Sequence, residues 1–351
     1  MEIPSNGSAA QCAPQTLERL PRVRQFAMMA GLVAGSVVIS FWPVVPARSP
    51  NAVADASCPQ GTTIAAESGT SRLGSGTCVL DGRTITHGGL SVPVPVRGAG
   101  VAAEAQDVAG DHSLIVTTGS DGVITVEADE HEHATALRAN RAIRVQSAAT
   151  ATCSDGTYRL SGWKLRGPYV WYYNWRGAPA SVASGAADAI YYGSRTAAIG
   201  ANSCGQRATV NITQQYRSYT TRTAQIDGAG RCTGNDGYNV TSWRAMSGSW
   251  LAMTCTYFVV SGNARHVTNS DAAFDTSGTA WFNTMPRGCR TAYDLRSVAT
   301  HERGHTFGLG HVSQNVNPNQ VMTPALHACS TAKRSLGLGD YRGLAHLYGT
   351  H

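Results

Sequence analysis

His301-Glu302-Arg303-Gly304-His305-Thr306-Phe307-Gly308-Leu309-Gly310-His311 is the stretch around which this chain is organised. On a helix, residues four apart share a face, so His301 and His305 project side by side. Glu302, one step round, reaches a water held by a metal rather than the metal itself. Gly308 stands three residues after His305, where the helix has to stop and the chain must turn; glycine enters the left-handed region without a Cβ penalty. That turn returns His311 as a third imidazole. Three protein ligands leave the fourth tetrahedral position of a zinc ion open, the mark of a catalytic rather than a closed structural site. A surface histidine cluster, or a zinc held only for stability, would need neither Glu302 nor Gly308.

The spacing HExxHxxGxxH resembles the zinc signature of the metzincin metallopeptidases, which also carry a methionine in a tight turn beneath the metal. Asn319-Gln320-Val321-Met322-Thr323-Pro324 follows here, with Pro324 suited to a turn, and Met322 is identified as that residue. The tail from Leu338 to Gly349 is similar to the last helix of matrixins, with Asp340 near its start and a Leu-Tyr-Gly ending. The resemblance covers roughly the last 200 residues and is strongest from Asp294 onward. It implies an α+β fold: a metzincin-like catalytic domain with a twisted mixed β-sheet, a zinc-binding active-site helix, a Met-turn and a C-terminal helix. It further implies one catalytic Zn2+, a protein or peptide substrate, and a secreted, matrixin-like endopeptidase of bacterial type.

Within that reading, zinc lowers the pKa of its water to about 7 and polarises the scissile carbonyl. Glu302 takes the proton and passes it to the leaving amine. Thr323, Pro324, Ala325, Leu326 and His327 are expected to wall the specificity pocket. Metzincins bind extended substrate on an edge strand beside the cleft, and the stretch Ala272 to Asn283, with Ala272, Ala273 and Phe274, is the candidate for it. The chain departs from the family in three places. Arg303 stands where an apolar residue is usual, no Tyr follows Met322 as an extra metal ligand, and no PRCGxPD motif precedes the catalytic region. His327 and His346 read as surface or helix-capping histidines rather than ligands. The sequence leaves calcium open without supporting it.

The start of the chain points to export. Arg19, Arg22 and Arg24 precede an uncharged run from Gln25 to Ala47, and small residues follow at Ala52, Ala54 and Ala56. Residues 1–56 therefore read as a signal peptide or, if uncleaved, a signal anchor, the one case in which the protein would stay on a membrane. Either way the arginines hold the N-terminus inside and everything from Ser57 outside. One of the nine cysteines, Cys12, lies in this leader. The other eight suit four disulfides in an oxidising compartment. Nearest-neighbour pairing gives Cys58–Cys78, Cys153–Cys204, Cys232–Cys255 and Cys289–Cys329, the last bracketing the zinc helix and Met-turn.

Charge divides the remainder. Ser57 to Thr150 has 6 Lys/Arg against 10 Asp/Glu, whereas Ala151 to His351 has 18 against 9. An acidic segment before a basic peptidase domain is what a docking pro-segment needs, because opposite potentials favour and orient the encounter. Residues 57–150 thus read as an acidic pro-segment of a zymogen or a small N-terminal module, and 151–351 as the zinc metallopeptidase domain. The acidic run Ala128 to His133 is a candidate source of a carboxylate or imidazole for the zinc. The basic residues are scattered without a basic helix, which argues against nucleic acid. A monomer is expected.

Gly167 to Trp175 is aromatic, β-branched and bounded by glycine and proline, so it reads as a strand, with a sugar-binding platform as its alternative. Ala180 to Gly200 has helical spacing, and Arg207 to Tyr216 and Thr254 to Val260 read as strands. Asp294 is placed to cap a zinc helix ending near Phe307, and Asp340 to Tyr348 reads as the last helix. Two functional alternatives stay open: a secreted zinc-containing binding module on a peptidase scaffold, and a zinc hydrolase of a non-peptide amide.

Overall fold

Strands buried on both faces make up the middle of the main sheet, and the computed structural model of the chain describes residues 61–73, 80–107, 111–131 and 152–351. The leader and the Cys58–Cys78 pair lie outside these residues. The N-terminal part contributes β1 (Thr63–Ala65), β2 (Gly69–Leu73), β3 (Thr84–His87), β4 (Leu90–Pro93), β5 (Ala99–Asp107), β6 (Asp111–Thr118) and β7 (Ile124–His131). There follow β8 (Arg159–Leu160), β9 (Trp163–Lys164), β10 (Tyr169–Tyr173), helix α1 (Ala186–Ile199), β11 (Gln214–Tyr219), β12 (Asn239–Arg244), β13 (Trp250–Ser261) and β14 (Ala264–Asp275). Short strands β15 (Trp281–Phe282) and β16 (Tyr293–Asp294) lead into α2 (Leu295–Thr306), β17 (Leu309–Gly310) and α3 (Leu338–Tyr348).

Ten strands form one mixed sheet in the order β11-β10-β12-β14-β13-β5-β6-β7-β2, with β9 beside β14. The pairs among β10, β11, β12 and β14 are parallel, and β13 runs antiparallel to β14. Beyond β13 the sheet continues without a break into the antiparallel strands of the acidic segment, β5 being paired with β13. The change of composition at residue 150 is therefore not a boundary of the sheet. Two ion pairs cross it, Arg159–Asp129 at 2.5 Å and Arg265–Glu127 at 3.3 Å.

β10 explains how the sheet meets the helices. Tyr169, Trp171 and Tyr173 are buried on one face while Val170 and Tyr172 are half-buried on the other. The inward tyrosines and tryptophan join Ile190, Leu295, Val298, Phe307, Met322 and Leu344 in a single core between sheet and helices. Tyr169, Trp171 and Tyr173 are thus core, while Trp175 beyond them is exposed. A second core, with Val101, Ala103, Leu114, Met253 and Cys255, lies on the other face of the sheet. Helix α1 starts later than its sequence pattern predicts, because residues 180–185 form turns, and β11 lies downstream of the expected strand. The disulfides Cys153–Cys204, Cys232–Cys255 and Cys289–Cys329 are formed.

Candidate metal centre

Helix α2 begins where Asp294 accepts the Ser297 backbone N–H at 2.9 Å, an N-cap that Arg334 holds with bonds at 2.5 and 2.9 Å. It ends at Phe307, and Gly308 follows at φ +94° with the carbonyl of Trp163 pressed where a Cβ would stand. From above, the Trp163 indole N–H donates to the His305 carbonyl at 3.1 Å. The Tyr348 hydroxyl, from α3, donates to the Phe307 carbonyl at 3.0 Å. The end of α2 is therefore fixed from two sides.

The Nε2 atoms of His301, His305 and His311 lie 3.0 Å from one another, and all three rings are buried. His301 Nδ1 donates to the Val321 carbonyl at 2.8 Å and His305 Nδ1 faces the Leu309 carbonyl at 3.0 Å. With those protons on Nδ1, the Nε2 lone pairs converge on a single point, an arrangement that repels itself unless a cation sits there. Zinc–nitrogen distances of about 2.0–2.1 Å suit a triangle of this size. Burial, with His305 and His311 alongside, holds His301 well below the ordinary imidazole range, so it is neutral as a ligand must be. Burial also lowers His305, but the charge and hydrogen bond of Glu104 outweigh it and raise the imidazole to about 9. A carboxylate behind a ligand histidine increases its basicity.

Glu302 sits on the same helix with its carboxylate buried. The Thr254 hydroxyl donates to Oε2 at 2.5 Å, while Oε1 has no partner among the described residues. Burial pushes Glu302 up to about 7, against the opposing charge of His305. A base in that range takes and returns a proton near neutrality. The donor set therefore fits zinc: three converging imidazole Nε2 atoms, and beside them a carboxylate oxygen left open.

Met322 is buried under the site, and its sulfur occupies the space where a Cβ on Gly304 would lie. Asp340 fixes this turn by accepting the backbone N–H groups of Val321 at 2.7 Å and Met322 at 3.2 Å. Arg303 is fully buried, donating from Nε to Ser194 Oγ at 2.9 Å, from one terminal nitrogen to Tyr169 at 2.7 Å and from the other to Thr241 Oγ1. Its guanidinium also lies over the Tyr169 and Trp171 rings, at 5.0 and 5.1 Å. Arg303 thus replaces apolar packing with a hydrogen-bonded cation that ties α2 to β10, α1 and β12.

The expected substrate strand needs correction. Ala272, Ala273 and Phe274 are buried in β14, paired with β12 on one side and β13 on the other, so their ladder groups are used and none is at an edge. Of the expected wall, Thr323 accepts from Lys333, while Pro324 and Ala325 meet Asp107 of β5. Leu326 is in the core and His327 is exposed. His346 lies beside the Tyr158 ring, apart from the three histidines. The acidic run offers no ligand among its described residues: Asp129 pairs with Arg159, and the carboxylate that reaches His305 belongs to Glu104. Thr254 and Glu104 carried no signal in the sequence, because both depend on β13 and β5 passing beside α2.

Residues 246–349 match the Matrixin family model. This stretch is similar to a matrixin domain. Metalloendoproteinase 1-MMP of Arabidopsis thaliana is 50% identical over 58 residues, which is 16% of this chain and 15% of that protein. Metalloendoproteinase 5-MMP of the same plant is 44% identical over 59 residues, 17% of this chain and 15% of the relative. The matched part thus spans about 15% of the length of each relative. The three-histidine group lies inside this matched stretch.

Proposed function

We propose that this protein is an exported, zinc-dependent endopeptidase that hydrolyses peptide bonds by Glu302-assisted attack of water. The observation that carries the reading is the convergence of three histidine Nε2 atoms beside the open oxygen of Glu302. His301, His305 and His311 would hold the ion. When bound, zinc supplies Lewis acidity at the scissile carbonyl and acidifies water to a pKa of about 7. Glu302 Oε1 accepts the proton of the attacking water, and the same carboxyl returns it to the leaving amine. Thr254, holding Oε2, keeps the carboxyl turned so that Oε1 does this work. Met322 shapes the floor and touches no reacting atom, and no side-chain nucleophile is needed. Export is supported by the leader sequence and by three disulfides among the described residues.

Glu302→Ala is expected to keep stoichiometric zinc by elemental analysis and to lose chelator-sensitive cleavage of an unbiased peptide library by on the order of 100-fold or more, the scale of acid–base catalysis. Undiminished cleavage by that variant would refute the mechanism.

A further inference from the structure

Trp175 ends the aromatic run of β10 and stands apart from the other described tryptophans. Trp163, Trp171, Trp243, Trp250 and Trp281 are at most 5% exposed, whereas Trp175 is 59% exposed. Its ring meets no other ring, and its indole N–H has no acceptor among the described residues. A single exposed aromatic is ordinary; one on a fixed loop beside a cavity is not.

The loop is fixed by its neighbours. Buried Asn174 donates from Nδ2 to the carbonyls of Thr221 and Arg222, at 3.3 and 2.9 Å, and accepts the Arg176 N–H at 3.0 Å. The Trp175 carbonyl accepts the Ala178 N–H at 3.0 Å, closing a turn with Gly177 at φ +87°. The backbone under Trp175 is thus set before any ligand arrives, which lowers the ordering cost of binding.

Against Trp175 lies a cavity of 420 Å³, lined also by Tyr173, Tyr219, Ser184 and Asp188 and otherwise only by glycine and alanine. Ligand pockets run from about 300 to 1,000 Å³. It opens beyond the C-terminal ends of the parallel strands β10 and β11, beside the start of α1, where open parallel sheets take ligands. The Tyr173 hydroxyl accepts the Trp243 indole N–H at 2.7 Å. Tyr219 is 59% exposed and is steadied by ring contacts with Tyr173 and Tyr216, at 6.0 and 6.1 Å between centroids. Ser184, Asp188 and the Tyr219 hydroxyl have no hydrogen-bond partner among the described residues.

This lining selects a ligand class. No Lys or Arg faces the cavity, so an anion finds no counter-charge. A cation fares little better, because Asp188 lies in the first turn of α1, whose dipole offsets its charge, within a stretch of 18 Lys/Arg against 9 Asp/Glu. A wholly apolar ligand would strip water from Ser184 and Asp188 without replacing it. What fits is neutral, with one apolar face and a rim of hydroxyls. A hexopyranose with equatorial hydroxyls has both, its axial C–H groups meeting the negative face of an aromatic ring.

We propose that the cavity between Trp175 and Tyr219 is a carbohydrate-binding site for gluco-configured pyranose rings of a neutral glycan. Trp175 and Tyr219 supply the stacking faces, and Asp188 and Ser184 hydrogen-bond the hydroxyls. The site shares no residue with the metal centre, so it does not rest on the peptidase reading.

The test uses the full zinc-loaded chain, isotopically labelled, with the Trp175 indole N–H signal assigned by its loss in Trp175→Phe. Cellopentaose and chitopentaose are titrated to about 10 mM, above the roughly millimolar affinity of a weak site, and choline chloride is titrated alongside. A saturable shift of the Trp175 signal is expected with at least one of the sugars, and none with choline. By calorimetry, Trp175→Ala should weaken binding at least about tenfold and Asp188→Ala about fivefold. Zinc content and peptide-library cleavage should be unchanged in both. Tyr219→Ala, also at an exposed position, supplies the same check should Trp175→Ala fail to fold.

No saturable shift with either sugar overturns the proposal, as does sugar binding that survives both Trp175→Ala and Tyr219→Ala. A choline shift that Asp188→Ala abolishes, with no sugar shift, identifies a cation site and overturns it too. Retention on insoluble cellulose or chitin that the matching pentasaccharide releases marks a polysaccharide as the source; pentasaccharide binding without retention marks a free oligosaccharide, and both support the site. Sugar binding by a chain that cleaves no peptide sinks the peptidase reading alone.

Discussion

Replacing Arg303 by Lys keeps the charge and removes the fork, and it is expected to destabilise the protein by about 3 kcal/mol. The guanidinium makes three hydrogen bonds, to Ser194, Tyr169 and Thr241, all at buried positions on three different elements. An ammonium at the same depth reaches one of them. Hydrogen bonds to charged groups contribute about 1.5–3 kcal/mol each, so losing two costs about 3–6 kcal/mol, and a local shift of the lysine recovers part of it. The flat contact with Tyr169 and Trp171 is lost as well. Equilibrium urea unfolding in the Glu302→Ala background, with disulfides intact and zinc saturating, measures the change without self-digestion. Zinc affinity, read against a competing chelator, should stay unchanged because Arg303 points away from the histidines. A stability within about 0.5 kcal/mol of the parent, the range of an ordinary surface substitution, would refute the account of Arg303 as a tie between helix and sheet.

Two further outcomes test the surroundings of the centre. Gly304→Ala should cost about 1–3 kcal/mol by overpacking, since the new methyl would lie 2.2 Å from Met322 Sδ; thermal unfolding of the zinc-loaded form checks this, and pairing with Met322→Ala should recover part of the loss. Asp271 accepts the Gln225 and Val240 N–H groups, yet burial raises it from 3.8 to about 7. Its folded pKa exceeds its unfolded one, so the folded state keeps a proton the unfolded chain has lost, and stability falls as pH rises through roughly 4 to 7. Asp271→Asn removes that slope, and between pH 5 and pH 8 urea unfolding should show the balance moving towards the variant by about 2–3 kcal/mol. A pH-independent difference would rule out a protonated Asp271.

The convergence of the three histidines was legible in the sequence because it is local. His301, Glu302 and His305 share one helical turn, Asp294 caps that helix three residues ahead of its first donor, and Gly308 supplies the one backbone conformation that returns His311. Periodicity of 3.6 and a positive φ are written in neighbouring residues. Met322 and Asp340 were legible only through family resemblance, since neither type at its position demands the contact it makes.

What stayed hidden depends on which strands become neighbours. A strand's sequence records which faces are buried but not whether its edges are paired, so Ala272 to Phe274 read as a substrate edge while the fold places them inside the sheet. The same limit concealed that β13 lies beside the histidines and that β5, from more than a hundred residues upstream of the helix, pairs with it. Arg303 is a parallel case: the sequence showed a cation in an apolar slot, and only the convergence of β10, α1 and β12 provided its three acceptors. The local chain thus determined the convergence of the three histidines, and tertiary pairing, which brings together backbone groups distant in sequence, decided which strands lie beside it.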